Sequence, residues 1–224
     1  MQKPTSAKPV LLGLLAYWAG MLLAAGHYPG GYDWPYTTIS SLVYAERNPG
    51  GYLLARAGMV LCGVAGLYWT ARQAQGSGRW PRARTAGTSA LGCGYLCMAS
   101  CAVLPERSLG LPRAHDALAL VAFLSLCIGT VLGAFASLSP AASEYPVTGS
   151  RRMYAGLLAT LALAPVVLAA VAQAYVSHAL PALPWVSPAW RARGVPAYLS
   201  FAFWEWTTCA ALSLTLVLQA RWRT

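Results

Sequence analysis

The side chains able to move a proton, hold a metal or grip a polar headgroup are few in this chain. His27, His115 and His178 are its imidazoles, and Asp33, Glu46, Glu106, Asp116, Glu144 and Glu205 its carboxylates. Imidazole nitrogen and carboxylate oxygen are ligands that zinc uses. The three histidines with Asp116 or Glu46 are thus the set from which a metal-dependent hydrolase or transferase acting on a lipid headgroup would have to be built. Such a centre needs about three converging ligands and a position open to water. No His-x-x-x-His pair fixes two of them on one face. His115 and Asp116 are neighbours, which on a helix diverge by about 100°. Asp116 also has a simpler role, as a carboxylate in the first turn of its helix, and His27 and His178 suit a membrane interface. Two histidines on facing helices could ligate a haem, but stacked haems need histidines at two depths and these lie at one. Phosphate-binding glycine loops, Gly-x-Ser-x-Gly, His-Glu-x-x-His and Cys-x-x-Cys do not occur. No catalytic residue, metal or cofactor is assigned.

The elements that must carry these residues are set by composition. The 224 residues are 57% hydrophobic and 10% charged, against roughly a quarter charged in a soluble domain. Apolar runs of about 20 residues, the length that crosses the hydrocarbon core, recur along the chain. The expectation is an all-α, polytopic bundle of six transmembrane helices in a single domain spanning 1–224. Its spans are about 9–26, 51–72, 84–104, 114–137, 153–177 and 197–220. The runs are continuous rather than alternating, which argues against a barrel. Residues 1–26 read as a retained first span rather than a cleaved signal, because the apolar core holds Tyr17, Trp18 and Gly20 and is long.

Lysine and arginine set the orientation. Lys3, Lys8, Arg72, Arg79, Arg82, Arg84, Arg151, Arg152, Arg221 and Arg223 fall at the termini and in two loops; the other three loops hold Arg47, Arg107, Arg113, Arg191 and Arg193. Ten against five places both termini in the cytoplasm, in a cell inner (plasma) membrane. The net charge of +10 is then an orientation signal with an attraction to anionic lipid, and nucleic acid is not an expected partner. Scarce lysine beside abundant arginine and alanine hints at a GC-rich bacterial genome.

Cys93, Cys97 and Cys101 form one stripe at helical spacing, and Cys62, Cys127 and Cys209 fall near mid-span. They read as small residues that let helices approach, like Gly129 and Gly133.

With this topology all three histidines and most acids gather at the outer face. Arg56 and Glu205 are set apart, because they lie inside spans, where a charge costs about 2.5–3.5 kcal/mol and usually has a partner. They are expected to pair, or to share a polar pocket with the 33–46 loop. A transporter reading of this pair is weaker, since no second charged pair lies near the midplane and no internal repeat links the two halves.

The connector HYPGGYDWPYTTISSLVYAERNPGGY (27–52) opens and closes on Pro-Gly-Gly-Tyr, a turn signal at each end. Ile39, Leu42 and Val43 recur at i, i+3, i+4. They predict a short amphipathic helix lying at the outer interface and capped by Asp33, Thr37 or Thr38. Tyr32, Trp34 and Tyr36 would lie in the headgroup belt, and Ser40, Ser41 and Glu46 would face the mouth of the bundle. The last outer loop (178–198), stiffened by Pro181, Pro184, Pro188 and Pro196, would form the other wall. Trp185 and Trp190 are expected at the interface there, followed by Phe203, Trp204 and Trp206.

Pro-Tyr-Thr-Thr-Ile-Ser-Ser-Leu (35–42) after the first span, then Asn48-Pro49-Gly50-Gly51, resembles the signature loop of six-span proteins of the DRAM and Frag type. The nearer likeness is to their bacterial and archaeal relatives of unknown function. Leu104-Pro105-Glu106 followed by His115 is similar to that bacterial group. Ser41 stands where members often carry an acid. The resemblance implies six helices and a polar site in the outer loop; better-known relatives are associated with lipid handling, lipid-anchor remodelling and autophagy modulation. The expected function is binding of membrane lipid, or of other membrane subunits, in a non-catalytic or auxiliary role. The expected pocket comprises Asp33, Trp34, Tyr36, Ser40, Ser41, Glu46, Arg56, His115, Asp116 and Glu205.

Overall fold

The computed structural model describes residues 6–75, 82–104, 114–138, 149–179 and 189–222. Glu106, Glu144, Pro181, Pro184, Trp185 and Pro188 lie outside the described residues. Six helices are long and apolar enough to cross a membrane: α1 (Lys8–Gly26), α3 (Tyr52–Gln75), α4 (Arg82–Val103), α5 (Ala114–Ala136), α6 (Gly149–Ala179) and α8 (Phe201–Trp222). A one-turn helix, α2 (Ser40–Val43), separates α1 from α3. A second, α7 (Ala189–Ala192), and a 3-10 turn (Ala197–Leu199) precede α8. Leu12, Leu15, Leu22, Leu61, Met153 and Val171 are among the large apolar side chains left exposed, as a surface facing hydrocarbon requires.

Each long helix packs on the next, and α8 closes back against α5 and α1. Glycine decides how close the first four come. A Cβ on Gly20 of α1 would stand 2.6 Å from the Leu54 carbonyl oxygen, and one on Gly58 of α3 would stand 2.7 Å from that of Ala16. Across the α4–α5 seam a Cβ on Gly129 would lie 2.9 Å from the Gly87 carbonyl oxygen, and Gly133 also faces Gly87. The small-residue arrangement expected at Gly129 and Gly133 is therefore a helix contact. It also explains α4, whose mean hydropathy of 1.3 is the lowest of the six: its small residues are spent on neighbours at both sides. Along its cysteine stripe Cys93 is exposed and Cys101 buried, and all six thiols are free.

α8 begins at Phe201, four residues later than expected. Pro196 opens the 3-10 turn, and Ser200 then takes an extended conformation and accepts a hydrogen bond from the Ala202 N–H at 3.2 Å. Serine before the first helical residue is a favoured N-cap. All six helices present one set of ends together: the C-termini of α1, α4 and α6 with the N-termini of α3, α5 and α8. α2 lies at this end.

Candidate functional site at the α2 end of the bundle

Within the connector between α1 and α3, the short helix α2 is packed against the bundle. Ile39, Ser41, Leu42 and Val43 are all buried. The expected short helix is present as a single turn, α2, and it is covered by protein: Ser41 and the apolar stripe are buried because α1 and α3 pack against it. Tyr32 and Tyr36 both make hydrogen bonds within the protein. The Tyr32 hydroxyl donates to the Thr37 carbonyl oxygen at 2.7 Å and accepts from Trp206 Nε1 at 3.0 Å. Burial pushes this phenol well above its usual range, so it remains a donor. Tyr36 is buried and donates to the Val195 carbonyl oxygen at 2.7 Å.

The two intramembrane charges do not pair with each other; they hold opposite ends of α2. The Glu205 carboxylate accepts the Ile39 N–H at 2.8 Å, with the Ser40 N–H beside it. Arg56 Nε donates to the Val43 carbonyl oxygen at 2.9 Å, and its guanidinium lies 5.2 Å from the Tyr52 ring centroid. The first N–H groups and last carbonyls of a helix have no partners within it, and inside a bundle each unmet group is costly. A carboxylate at one end and a guanidinium at the other meet that demand. The expected caps, Asp33, Thr37 and Thr38, are not used: Ile39 precedes the helix in helical geometry with no side-chain cap of its own. Arg56 and Glu205 thus each bond the backbone of the 33–46 loop, at separate ends of α2, and only Glu205 lines the cavity beneath it.

Further bonds tie α2 down. Ser40 Oγ donates to Thr38 Oγ1 at 2.9 Å, Thr38 Oγ1 lies 3.0 Å from Ser41 Oγ, and Arg47 donates to Ser41 Oγ at 3.1 Å. The wholly buried Asn48 donates to the carbonyls of Ala24 and Leu42, at 3.0 and 3.4 Å. It thereby joins the last turn of α1, the last residues of α2 and the start of α3.

Beneath α2 is a cavity of about 100 Å³. Ile39, Ser40 and Val43 form its roof, and Glu205, Cys209 and Ser213 of α8 stand along one wall. Its other walls include Tyr17 of α1, Met59 and Cys62 of α3, Met98 and Cys101 of α4, and His115, Ala119 and Phe123 of α5. Tyr17 donates its hydroxyl to Cys209 Sγ at 3.3 Å, and Trp18 Nε1 donates to Ser213 Oγ at 3.1 Å. The chamber is mostly apolar, with Ser40, Glu205 and His115 as polar groups near its roof.

The segment before α8 closes the same end. Arg191 holds Asp33 through two contacts, Nε–Oδ2 at 2.7 Å and Nη2–Oδ1 at 2.8 Å, and lies over the Tyr36 ring. Trp34 is exposed and stacks on Phe203 at 5.7 Å between centroids. Trp190 is fully buried in a cluster with Tyr36, Val176 and Val195. Residues 33–36 therefore pack against residues 190–195 through buried aromatics and one ion pair.

The remaining candidates scatter. His115 lies in the cavity wall with its ring 4.9 Å from that of Tyr44, while Asp116 is exposed on the next position, as their divergence requires. Glu46 is exposed on the turn after α2. His27 is exposed with Nδ1 2.8 Å from the Leu23 carbonyl oxygen, and His178 is exposed near the end of α6. Among the described residues no three of His, Cys, Asp and Glu come together as a metal ion would need. The histidine set considered for a zinc centre does not converge, since one ring faces inward and two face out.

Two features escaped the sequence reading. Glu205, Cys209 and Ser213 recur at i, i+4, i+8, a polar stripe as regular as the cysteine stripe of α4, and this one lines the cavity. Asn48 was legible only as part of a loop motif; its bonds reach residues 24 and 42, and no local spacing shows that. Compared with family models, curated proteins and solved structures, the chain matches none. The likeness to the DRAM and Frag type stays with the loop motifs that suggested it.

Proposed function

We infer that this protein binds a membrane lipid at the α2 end of its bundle, in a non-catalytic role, with α2 as the roof of the site. The observation that carries this is the cavity directly under α2, apolar in its depth and polar at its roof. Binding sites for small amphiphiles combine apolar walls with a few placed polar groups. A chamber of about 100 Å³ is smaller than the roughly 150 Å³ that holds a benzene, so the closed form receives only the tip of a chain. A longer ligand requires α2 to lift. Gly30 and Gly31, at φ 74° and 90°, values that favour glycine, form the turn that leads from α1 toward it. We place this end at the outer side of an inner (plasma) membrane, with both termini cytoplasmic, on the distribution of lysine and arginine.

The test is native mass spectrometry of protein extracted with its lipids. Wild type is expected to carry a bound lipid that Ala119→Phe, which fills the cavity, loses while still folding. Equal lipid retention by both proteins would overturn the reading. A Glu46→Cys variant is expected to react with a membrane-impermeant maleimide from outside intact cells; labelling only after lysis would reverse the orientation.

A further inference from the structure

A second recess, sharing no lining residue with the cavity under α2, opens between α6 and the segment leading into α8. It has a volume of about 620 Å³. Leu168, Val171 and Tyr175 of α6 lie along one side at helical spacing, Tyr198 and Trp204 face them, and Arg193 stands with them in the lining. The α6 stripe runs from Leu168 to Ala179. At 1.5 Å per residue that is about 16 Å, half of a hydrocarbon core of about 30 Å. The groove therefore has the depth of one leaflet, and its apolar length suits one acyl chain.

The basic residues beside it differ. Arg191 is taken by Asp33. Arg193, two residues on, is exposed and its side chain has no hydrogen-bond or ion-pair partner among the described residues. Gly194, at φ 71°, ends α7: its N–H bonds to the Arg191 carbonyl and the Val195 N–H to that of Trp190. This paired closure is the Schellman arrangement, and it fixes the backbone beside Arg193. Trp204 Nε1 is satisfied by the Tyr198 carbonyl oxygen at 2.7 Å, which ties the Trp204 ring to the backbone of that wall.

We propose that this groove is a site for one anionic phospholipid, its acyl chain along Leu168, Val171 and Tyr175 and its phosphate on Arg193. Guanidinium is the side chain best matched to a phosphate, and an apolar channel of leaflet depth ending at a guanidinium with no partner among the described residues is complementary to such a lipid in shape and charge. The site stands independently of the cavity under α2.

Native mass spectrometry of the whole protein, from micelles holding equal phosphatidylglycerol and phosphatidylcholine, tests it. Wild type is expected to retain one phosphatidylglycerol with about fivefold preference, the effect of one basic residue near a membrane surface. Arg193→Gln is expected to abolish the preference and Arg193→Lys to keep most of it. Val171→Trp, which obstructs the chain, is expected to lower retention of both lipids. Equal retention of the two lipids by wild type, or an undiminished preference in Arg193→Gln, would overturn the proposal. So would disulfide cross-linking of Val171→Cys between two copies in the membrane, which would make the groove a protein interface.

Discussion

The α1, α3, α4 and α5 side of the bundle and the α6 and α8 side are assembled on different terms. On the first, glycines bring backbones so near that a single added carbon would collide with a neighbour's carbonyl, as at Gly20, Gly58 and Gly129. On the second, α8 has no glycine, and the glycines of α6, Gly149 and Gly156, have nothing within 4 Å of where a Cβ would stand. Larger side chains fill that seam, and the groove opens beside α6, whereas the cavity under α2 lies between α8 and the α1, α3, α4 and α5 side. The difference teaches where a ligand can go. Where glycines seat backbone on backbone there is no room for even a Cβ, whereas α8, which also supplies the carboxylate that holds α2, borders both the cavity and the groove.

The sharpest way to break this contrast is to put the same bulk into both sides. Gly58→Leu is expected to remove most folded protein, since overpacking costs about 1–3 kcal/mol or more and the atom it meets is backbone. Gly156→Leu is expected to melt with wild type. The measurement is thermal unfolding in one detergent, with the yield of monodisperse protein beside it. Indifference of the bundle to Gly58→Leu would mean the seam is not tight.

Next in size are the two ends of α2. Glu205→Ala leaves the Ile39 N–H without its acceptor inside the bundle, a loss of about 1–3 kcal/mol. Glu205→Gln keeps an acceptor and is expected to retain most of the stability. Arg56→Ala strands one carbonyl and is expected to cost less than Glu205→Ala. Hydrogen exchange over residues 38–44 reads the same event locally, with α2 exchanging faster in Glu205→Ala. If Glu205→Gln proved as damaging as Glu205→Ala, charge rather than capping would be what Glu205 supplies.

The two sides were unequally legible in the sequence. The six long helices could be read because lipid demands about 20 apolar residues per crossing, and the Gly129 and Gly133 contact because small residues four apart mark a close approach. The importance of Arg56 and Glu205 was visible from the cost of burying a charge. Their partner was not, because a backbone N–H or carbonyl has no letter in the sequence, and only the fold shows that α2 passes between them. For the same reason the short helix α2 was legible from Ile39, Leu42 and Val43, whereas the burial of Ser41 was not. Trp190 illustrates the converse, since an amphipathic ring suits a headgroup layer or a buried cluster equally, and the choice is made by Tyr36 and Val195 from elsewhere in the chain.

A smaller effect is expected at the start of α8. Ser200→Ala removes the oxygen that accepts the Ala202 N–H and should lower stability by about 1 kcal/mol, less than either Glu205→Ala or Gly58→Leu. Since α8 carries the cavity stripe Glu205, Cys209 and Ser213, fraying of its first turn should also loosen lipid held under α2. Native mass spectrometry of the variant reads that loss, and a stable variant with weakened lipid binding would show that the cap serves the site more than the fold.

The smallest effect belongs to the contact that looks strongest on paper. Asp33 and Arg191 form a two-pronged ion pair at 2.7 and 2.8 Å, yet their side chains are 37% and 62% exposed. Exposed pairs are worth roughly 0.2–1 kcal/mol and are screened by salt. Asp33→Asn is therefore expected to lower stability by about 0.5 kcal/mol in dilute buffer, with the difference vanishing near 1 M salt, where the screening length is about 3 Å. Glu205→Ala should show no such salt dependence, because its bond to Ile39 lies within the bundle. A large, salt-insensitive loss in Asp33→Asn would mean that the two connectors need this clasp to meet at all. The buried Tyr36 and Trp190 packing would then be a consequence of their meeting, and the working end of the molecule would be held together from its rim inward.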